Sequence, residues 1–325
     1  MKKSVIISVL FILYITGNLA FAQEKALPAF SESDVMLRTS SGDISGTLTI
    51  PDKPKRTPLV IIIAGSGPTD RDGNSPLGIK ANSYKMLADG LARNGISTLR
   101  FDKRGISKSK AALDSEFNIR FDTYIDDVAD WVYMMKKDRR FSKIIILGHS
   151  EGSLIGMVAS QKAPVSKYIS LAGAGFPVYT LIKDQLKNQQ LPQQLIDESD
   201  KIIDSLKAGK TVKKVNILLL SLYRPSVQPY MISWFKYDPA AEIKKLKIPV
   251  MIIQGTTDIQ VSIADAKQLS AGKPDARLMT LDNMNHILKE SVSDRQKNLA
   301  TYTDPGLPLK SGLVEGIVSF IKSGK

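Results

Sequence analysis

The sequence predicts an α/β fold, a doubly wound and mostly parallel sheet with an amino-terminal antiparallel hairpin and an inserted helical cap. Three observations carry that expectation. Short β-branched runs recur along the chain, "PLVIIIAG", "ISTLRFD", "KIIILGH", "KYISLAG" and "PVMIIQG", each stopped by a glycine or a polar residue. Helical segments such as Tyr84 to Asn94 and "YIDDVADWVYMMKK" alternate with them, the pattern of parallel strands covered on both faces. The stretch 176–240 breaks this rhythm: it is rich in Leu, Lys and Gln and holds two segments of helical period separated by "KAGKT". A loop of that length without structure of its own is improbable in a compact domain, so a helical cap is expected there.

Taken in order, residues 1–22 read as a signal peptide. Lys2 and Lys3 form the charged start, Val5 to Ile15 the apolar middle, and Ala20-Phe21-Ala22 the small-x-small pattern of a cleavage site, so the mature chain is expected to begin near Gln23. The apolar part is shorter than the roughly 20 residues that span a bilayer, which disfavours an anchor and leaves no stable membrane insertion after cleavage. The expected location is periplasmic or extracellular. "DVMLRTSSGDISGTLTIP" alternates apolar and polar residues around Ser40-Ser41-Gly42-Asp43, as a hairpin does. The α/β core is then expected over 23–175 and 241–325, on either side of the 176–240 cap.

With 325 residues and 43% hydrophobic content the chain can bury a large core, which excludes a disordered or fibrous protein. It has no cysteine, so disulfides and a lipid-modified amino-terminal cysteine are impossible, and stability rests on the core. The formal charge is +13, or +11 once Lys2 and Lys3 of the leader are discounted. The lysines are scattered through "IKKLKIP" and "KAGKTVKKV" without aromatic residues to stack on bases, so a solvated basic surface is expected and no nucleic-acid partner.

"KIIILGHSEGSLIG" fits G-x-S-x-G at Gly148, His149, Ser150, Glu151 and Gly152, between an apolar strand and a helix. Chemistry needs that spacing: the serine sits on a tight, strained turn, and side chains at the flanking glycines would collide with the neighbouring strand and helix. A serine hydroxyl is a poor nucleophile until a base takes its proton, and only His149 and His286 are available. His149 directly precedes Ser150, so its side chain points away and is expected to be a packed, hydrogen-bonded neighbour. His286 follows "RLMTL", the expected last strand, and a loop can carry it back over the sheet edge as the base. The orienting acid should fall between the two in chain order. Asp258, in the turn after "VMIIQG", is preferred to Asp282, which follows its strand immediately and reads as a turn residue. The developing oxyanion needs backbone N–H donors: Glu151 supplies one, and the "AGSGP" loop (Ala64 to Pro68) the other, through Ser66 or, with the turn shifted by one, Gly67.

The elbow "GHSEG", the loop "IAGSGPTDRDGN", the segment "RFDKRGISKS" and "SVQPYMISWFKYDPAAEIKKLKIPVMIIQGTTDIQV" together resemble the α/β-hydrolase superfamily in its serine aminopeptidase-like branch, in particular secreted bacterial carboxylesterases that share the AGSGPxDRDG loop. The resemblance covers nearly all of the mature chain. It implies an esterase acting on short acyl esters with Ser150, Asp258 and His286 as its triad, and no cofactor. One position departs: Ser107 stands where the second glycine of D-x-R-G-x-G-x-S would be. "DRDGN" also opens like a calcium loop, but Ala81 occupies the position of its last acidic ligand, so no metal is expected and Asp70, Arg71 and Asp72 read as a charged turn fixing the oxyanion loop. Met231, Trp234 and Phe235 of the cap are candidates for a substrate pocket, with plain core packing as the alternative. Two rival functions stay open: an aminopeptidase whose cap acids, Asp197, Glu198 and Asp200, hold a free amino terminus, and a catalytically inactive envelope-binding protein.

Overall fold

The computed structural model describes residues 29–189 and 191–324; the expected signal peptide and its cleavage point lie outside them. The chain opens with β1 (Phe30–Thr39) and β2 (Gly42–Pro51), paired antiparallel with Thr39 opposite Gly42, as the alternation predicts. β3 (Thr57–Ile63) follows, then the two short strands β4 (Asn74–Ser75) and β5 (Ile79–Lys80), α1 (Ser83–Arg93) and β6 (Ser97–Phe101). α2 (Phe121–Lys136), β7 (Phe141–His149), α3 (Glu151–Lys162) and β8 (Lys167–Leu171) complete the first half of the core. Between β8 and β9 (Val250–Gly255) lie α4 (Val178–Asn188), α5 (Gln193–Lys207), α6 (Leu220–Tyr223), α7 (Gln228–Trp234) and α8 (Pro239–Lys244). α9 (Ile263–Gly272), β10 (Arg277–Leu281), α10 (Arg295–Ala300) and α11 (Leu313–Lys322) close the described chain.

Eight strands form one sheet in the order β1-β2-β6-β3-β7-β8-β9-β10. β2 runs antiparallel to both its neighbours, and every other pair is parallel. Period-two alternation sends successive side chains to opposite faces, so the central strands must be apolar throughout. In β3, Leu59, Ile61 and Ile63 join one core with Trp131 and Val132 of α2 and Ile155 of α3. Val60 and Ile62 join the other, with Leu87 and Leu91 of α1 and Ile317 and Phe320 of α11. β7 divides likewise, Ile144 and Ile146 against Ile145 and Leu147. A third apolar cluster belongs to the helices between β8 and β9: Ile182 and Leu186 of α4 meet Ile202, Ile203 and Leu206 of α5 and Phe235 after α7. α7 is tied to the core by Ser233, whose Oγ accepts from the Phe121 N–H at 2.7 Å.

Candidate active site

The carboxyl ends of β7, β9 and β10 carry Ser150, Asp258 and His286, where a doubly wound sheet is expected to present its working residues. Ser150 stands between β7 and α3 at φ 54°, ψ −121°. The flanking glycines explain how the chain passes there. A Cβ on Gly148 would lie 2.1 Å from the Gly152 carbonyl oxygen, and one on Gly152 would lie 2.5 Å from that of Ile63. The turn is pinned by the Ser150 N–H donating to Leu171 O at 3.0 Å.

His286 Nε2 lies 3.1 Å from Ser150 Oγ, and its Nδ1 lies 2.8 Å from Asp258 Oδ2. Asp258 Oδ1 accepts from the N–H groups of Gln260 and Val261 at 2.8 and 3.0 Å, and Gln254 Nε2 donates to Oδ2 at 3.1 Å. Burial works to raise the Asp258 carboxyl, but the neighbouring His286 and these N–H donors outweigh it and hold its pKa below the usual value. With Asp258 ionised, Nδ1 carries the imidazole proton and Nε2 faces the serine as acceptor. Asp282 is exposed in the turn after β10 and takes no part.

His149 is buried and packed, as its position predicts. Its Nε2 donates to the His286 carbonyl at 2.8 Å, its Nδ1 accepts from the Tyr84 hydroxyl at 2.8 Å, and the Tyr84 oxygen accepts from the Gly65 N–H at 3.1 Å. This chain needs a neutral imidazole, and burial first, then the nearby His286, depresses the His149 pKa to about 3. The network joins the loop after β3 to the loop that carries His286. Sequence reasoning missed Tyr84: nothing in a helical pattern marks one tyrosine of a buried face as a polar bridge.

Ser66 lies beside Ser150 in a cavity of about 130 Å³ that Gly65, Thr69, Ile79, His286 and Ile287 also line. Glu151 is the first residue of α3, so its N–H has no acceptor within the helix. The charged turn beyond Ser66 is tightly held. Asp70 Oδ1 accepts from the N–H groups of Asp72 and Asn74 at 2.9 Å each, and Arg71 grips Asp102 through Nη2 at 2.7 Å and Nε at 3.1 Å. Asp72 pairs with Arg100. Lys103 is a further residue that the sequence did not single out; its ammonium reaches Glu151 and the Gly65 carbonyl.

Met231, Trp234 and Phe235 are not among the residues that line this cavity. Met231 and Phe235 are buried in the apolar cluster of the helices between β8 and β9, and Trp234 stacks on Phe121 with ring centroids 5.4 Å apart. α7 packs between α5 and α2, so these apolar residues face the protein interior. A larger cavity of about 750 Å³ opens next to Asp258, between Leu181 and Gln185 of α4 and the segment Ile259 to Ser262.

The strand order and the elbow are those of the α/β-hydrolase fold, and the likenesses to known hydrolases agree with it. The model of the serine aminopeptidase family S33 matches residues 77–216. Esterase EstD of Thermotoga maritima is 27% identical over 277 residues, a match that takes in 80% of this chain and 60% of that esterase. The chain therefore spans about 60% of the length of the curated relative it matches. Among solved structures, Est1E of Butyrivibrio proteoclasticus with ferulic acid bound is similar over 89% of this chain and 100% of its own, at TM-score 0.58 and 17% identity. The Pyrococcus furiosus esterase Pf2001 is similar over 90% of this chain and 92% of its own, at TM-score 0.55 and 15% identity.

Proposed function

We propose that the protein is a carboxylesterase that cleaves short-chain acyl esters through an acyl-enzyme on Ser150. The observation that carries this reading is the relay of Ser150 Oγ, His286 and Asp258, at 3.1 and 2.8 Å, on a strained elbow. His286 Nε2 takes the Ser150 proton as Oγ bonds to the ester carbonyl carbon, and the carbonyl electron pair moves onto oxygen, where the N–H groups of Glu151 and Ser66 receive it. Collapse of that intermediate breaks the ester C–O bond, and the leaving alkoxide takes the proton from His286. A water molecule then gives its proton to the same imidazole and attacks the acyl group, and Ser150 leaves with its proton restored. The protein's own groups supply every proton transfer in this scheme. The resemblance to EstD, itself an esterase by name, supports the substrate class.

Hydrolysis of p-nitrophenyl esters across acyl lengths, with Ser150→Ala as control, tests the reading. We expect turnover of the butyrate that falls by about 10⁴-fold or more in Ser150→Ala; turnover equal in the variant would end it. The aminopeptidase family match favours one rival, turnover of an amino-acid p-nitroanilide. Against it, the cap acids are engaged elsewhere: Glu198 accepts from the Asn216 N–H at 2.9 Å, Asp200 pairs with Lys183 at 3.1 Å, and Asp197 accepts from Gln193 at 2.8 Å. Faster cleavage of the anilide than of the butyrate would decide for the peptidase. The inactive binding protein is tested by a fluorophosphonate probe, which we expect to label Ser150. The reading also takes residues 176–240 as the cap over the site and the mature enzyme as exported, so the chain recovered from the cell envelope or medium should begin at Gln23 by mass.

A further inference from the structure

The two N–H donors assigned to the oxyanion follow different strands, Ser66 after β3 and Glu151 after β7, and one buried cation joins the segments that carry them. Lys103 follows β6, and its Nζ donates to the Gly65 carbonyl oxygen at 2.7 Å and to Glu151 Oε1 at 2.7 Å. The Lys103 and Glu151 side chains are 3% and 4% exposed, and the Tyr124 ring covers the ammonium at 5.0 Å. Gly65 precedes Ser66, so the carbonyl that Lys103 holds and the N–H of Ser66 are the two ends of one peptide group. That group is planar and trans, with C=O and N–H pointing in opposite directions. Fixing the carbonyl on the ammonium therefore fixes the heading of the Ser66 N–H, and the pull of a cation on the oxygen polarises the N–H at the other end. The same ammonium grips the carboxylate of Glu151, whose backbone N–H is the second donor. The Tyr84 hydroxyl holds the other side of Gly65 through its N–H at 3.1 Å, so this residue is fixed at both its polar groups.

We propose that Lys103 is a positioning residue for oxyanion stabilisation: one ammonium bridges the loop after β3 and the nucleophile elbow and holds their two N–H donors in register. The inference rests on the acyl-transfer reading above, which wild-type hydrolysis and its loss in Ser150→Ala test without any Lys103 variant. Absence of hydrolysis by the wild type would sink both together. Given an active wild type, the discriminating variant is Lys103→Met with Glu151→Gln, which leaves no unpaired buried charge and nearly conserves volume. With circular dichroism and thermal midpoint close to wild type, kcat for p-nitrophenyl butyrate should fall about 10- to 100-fold with KM within about threefold. The Ki of an alkylboronic acid, whose tetrahedral adduct on Ser150 puts an oxygen in the same hole, should rise by a similar factor. A folded double variant with kcat and Ki within twofold of wild type would overturn the proposal and reduce the pair to a structural contact. Should that variant not fold, Lys103→Gln with Glu151→Gln decides by the same two readouts: in the folded protein a change of about tenfold or more in kcat and Ki supports the bridge, and any smaller change overturns it.

Discussion

Ser150 holds a backbone conformation that residues other than glycine seldom adopt, at φ 54° and ψ −121°. Such a position costs on the order of 1–3 kcal/mol and persists because the surrounding structure over-determines it. Replacing the serine should therefore expose the strain. Ser150→Gly is expected to be more stable than Ser150→Ala by about 1 kcal/mol, since both lose the hydroxyl and only glycine relaxes the turn. Urea unfolding of the two inactive variants checks this, and equal midpoints would show an unstrained elbow. At this scale the sequence was legible where chemistry demands a residue type at a fixed place. The convergence of three residues was readable in this way: Ser150 is marked by its glycines, His286 by the scarcity of histidine and Asp258 by chain order, and the three meet within hydrogen-bond distance. Lys103 and Tyr84 were not legible, because a hydrogen bond between Gly65 and residue 103 or residue 84 depends on how strands and helices meet in space.

Among the elements, the strands of the main sheet were legible because central strands buried on both faces leave continuous apolar runs, whereas the two-residue strands β4 and β5 are too short to leave a pattern. The turn after β6 is more informative. Ser107 occupies the place of an expected glycine and has φ 45°, so the departure in sequence changes the residue and keeps the left-handed conformation. L-residues with a Cβ are disfavoured there by about 1–2 kcal/mol. Ser107→Gly should raise stability by about 0.5–1 kcal/mol relative to wild type and leave ester turnover intact, read by thermal denaturation alongside the butyrate assay. A lower midpoint would mean that the serine makes a compensating contact. The helices between β8 and β9 were the least legible part. Met231, Trp234 and Phe235 sit on and after a short helix with partners on more than one side, and apolar composition alone does not say whether a face meets protein or substrate.

For the molecule as a whole, one buried imidazole makes stability depend on acidity. The folded pKa of His149 is about 3, below the roughly 6.5 of an unfolded histidine. Above about pH 6.5 both states are neutral there and the residue contributes no pH dependence. As pH falls from about 6.5 towards 3 the unfolded chain takes up a proton that the folded chain refuses, and stability declines by up to about 1.4 kcal/mol per pH unit. Urea unfolding at pH 7 and pH 5 should show this loss in the wild type and a smaller one in His149→Gln, whose amide offers a donor and an acceptor without titrating. Equal losses in both would remove His149 as the cause.

The hydroxyl and the imidazole of the relay lie 136 residues apart, the second on the loop beyond the final strand of the sheet. A nascent or partly threaded chain carries its serine early but acquires a proton acceptor for it only when the last strand docks. On the reading given above, the growing polypeptide is harmless to the esters of the cell that makes it. Catalysis begins as a late event of maturation, which makes the onset of hydrolysis a clock for completion of the sheet.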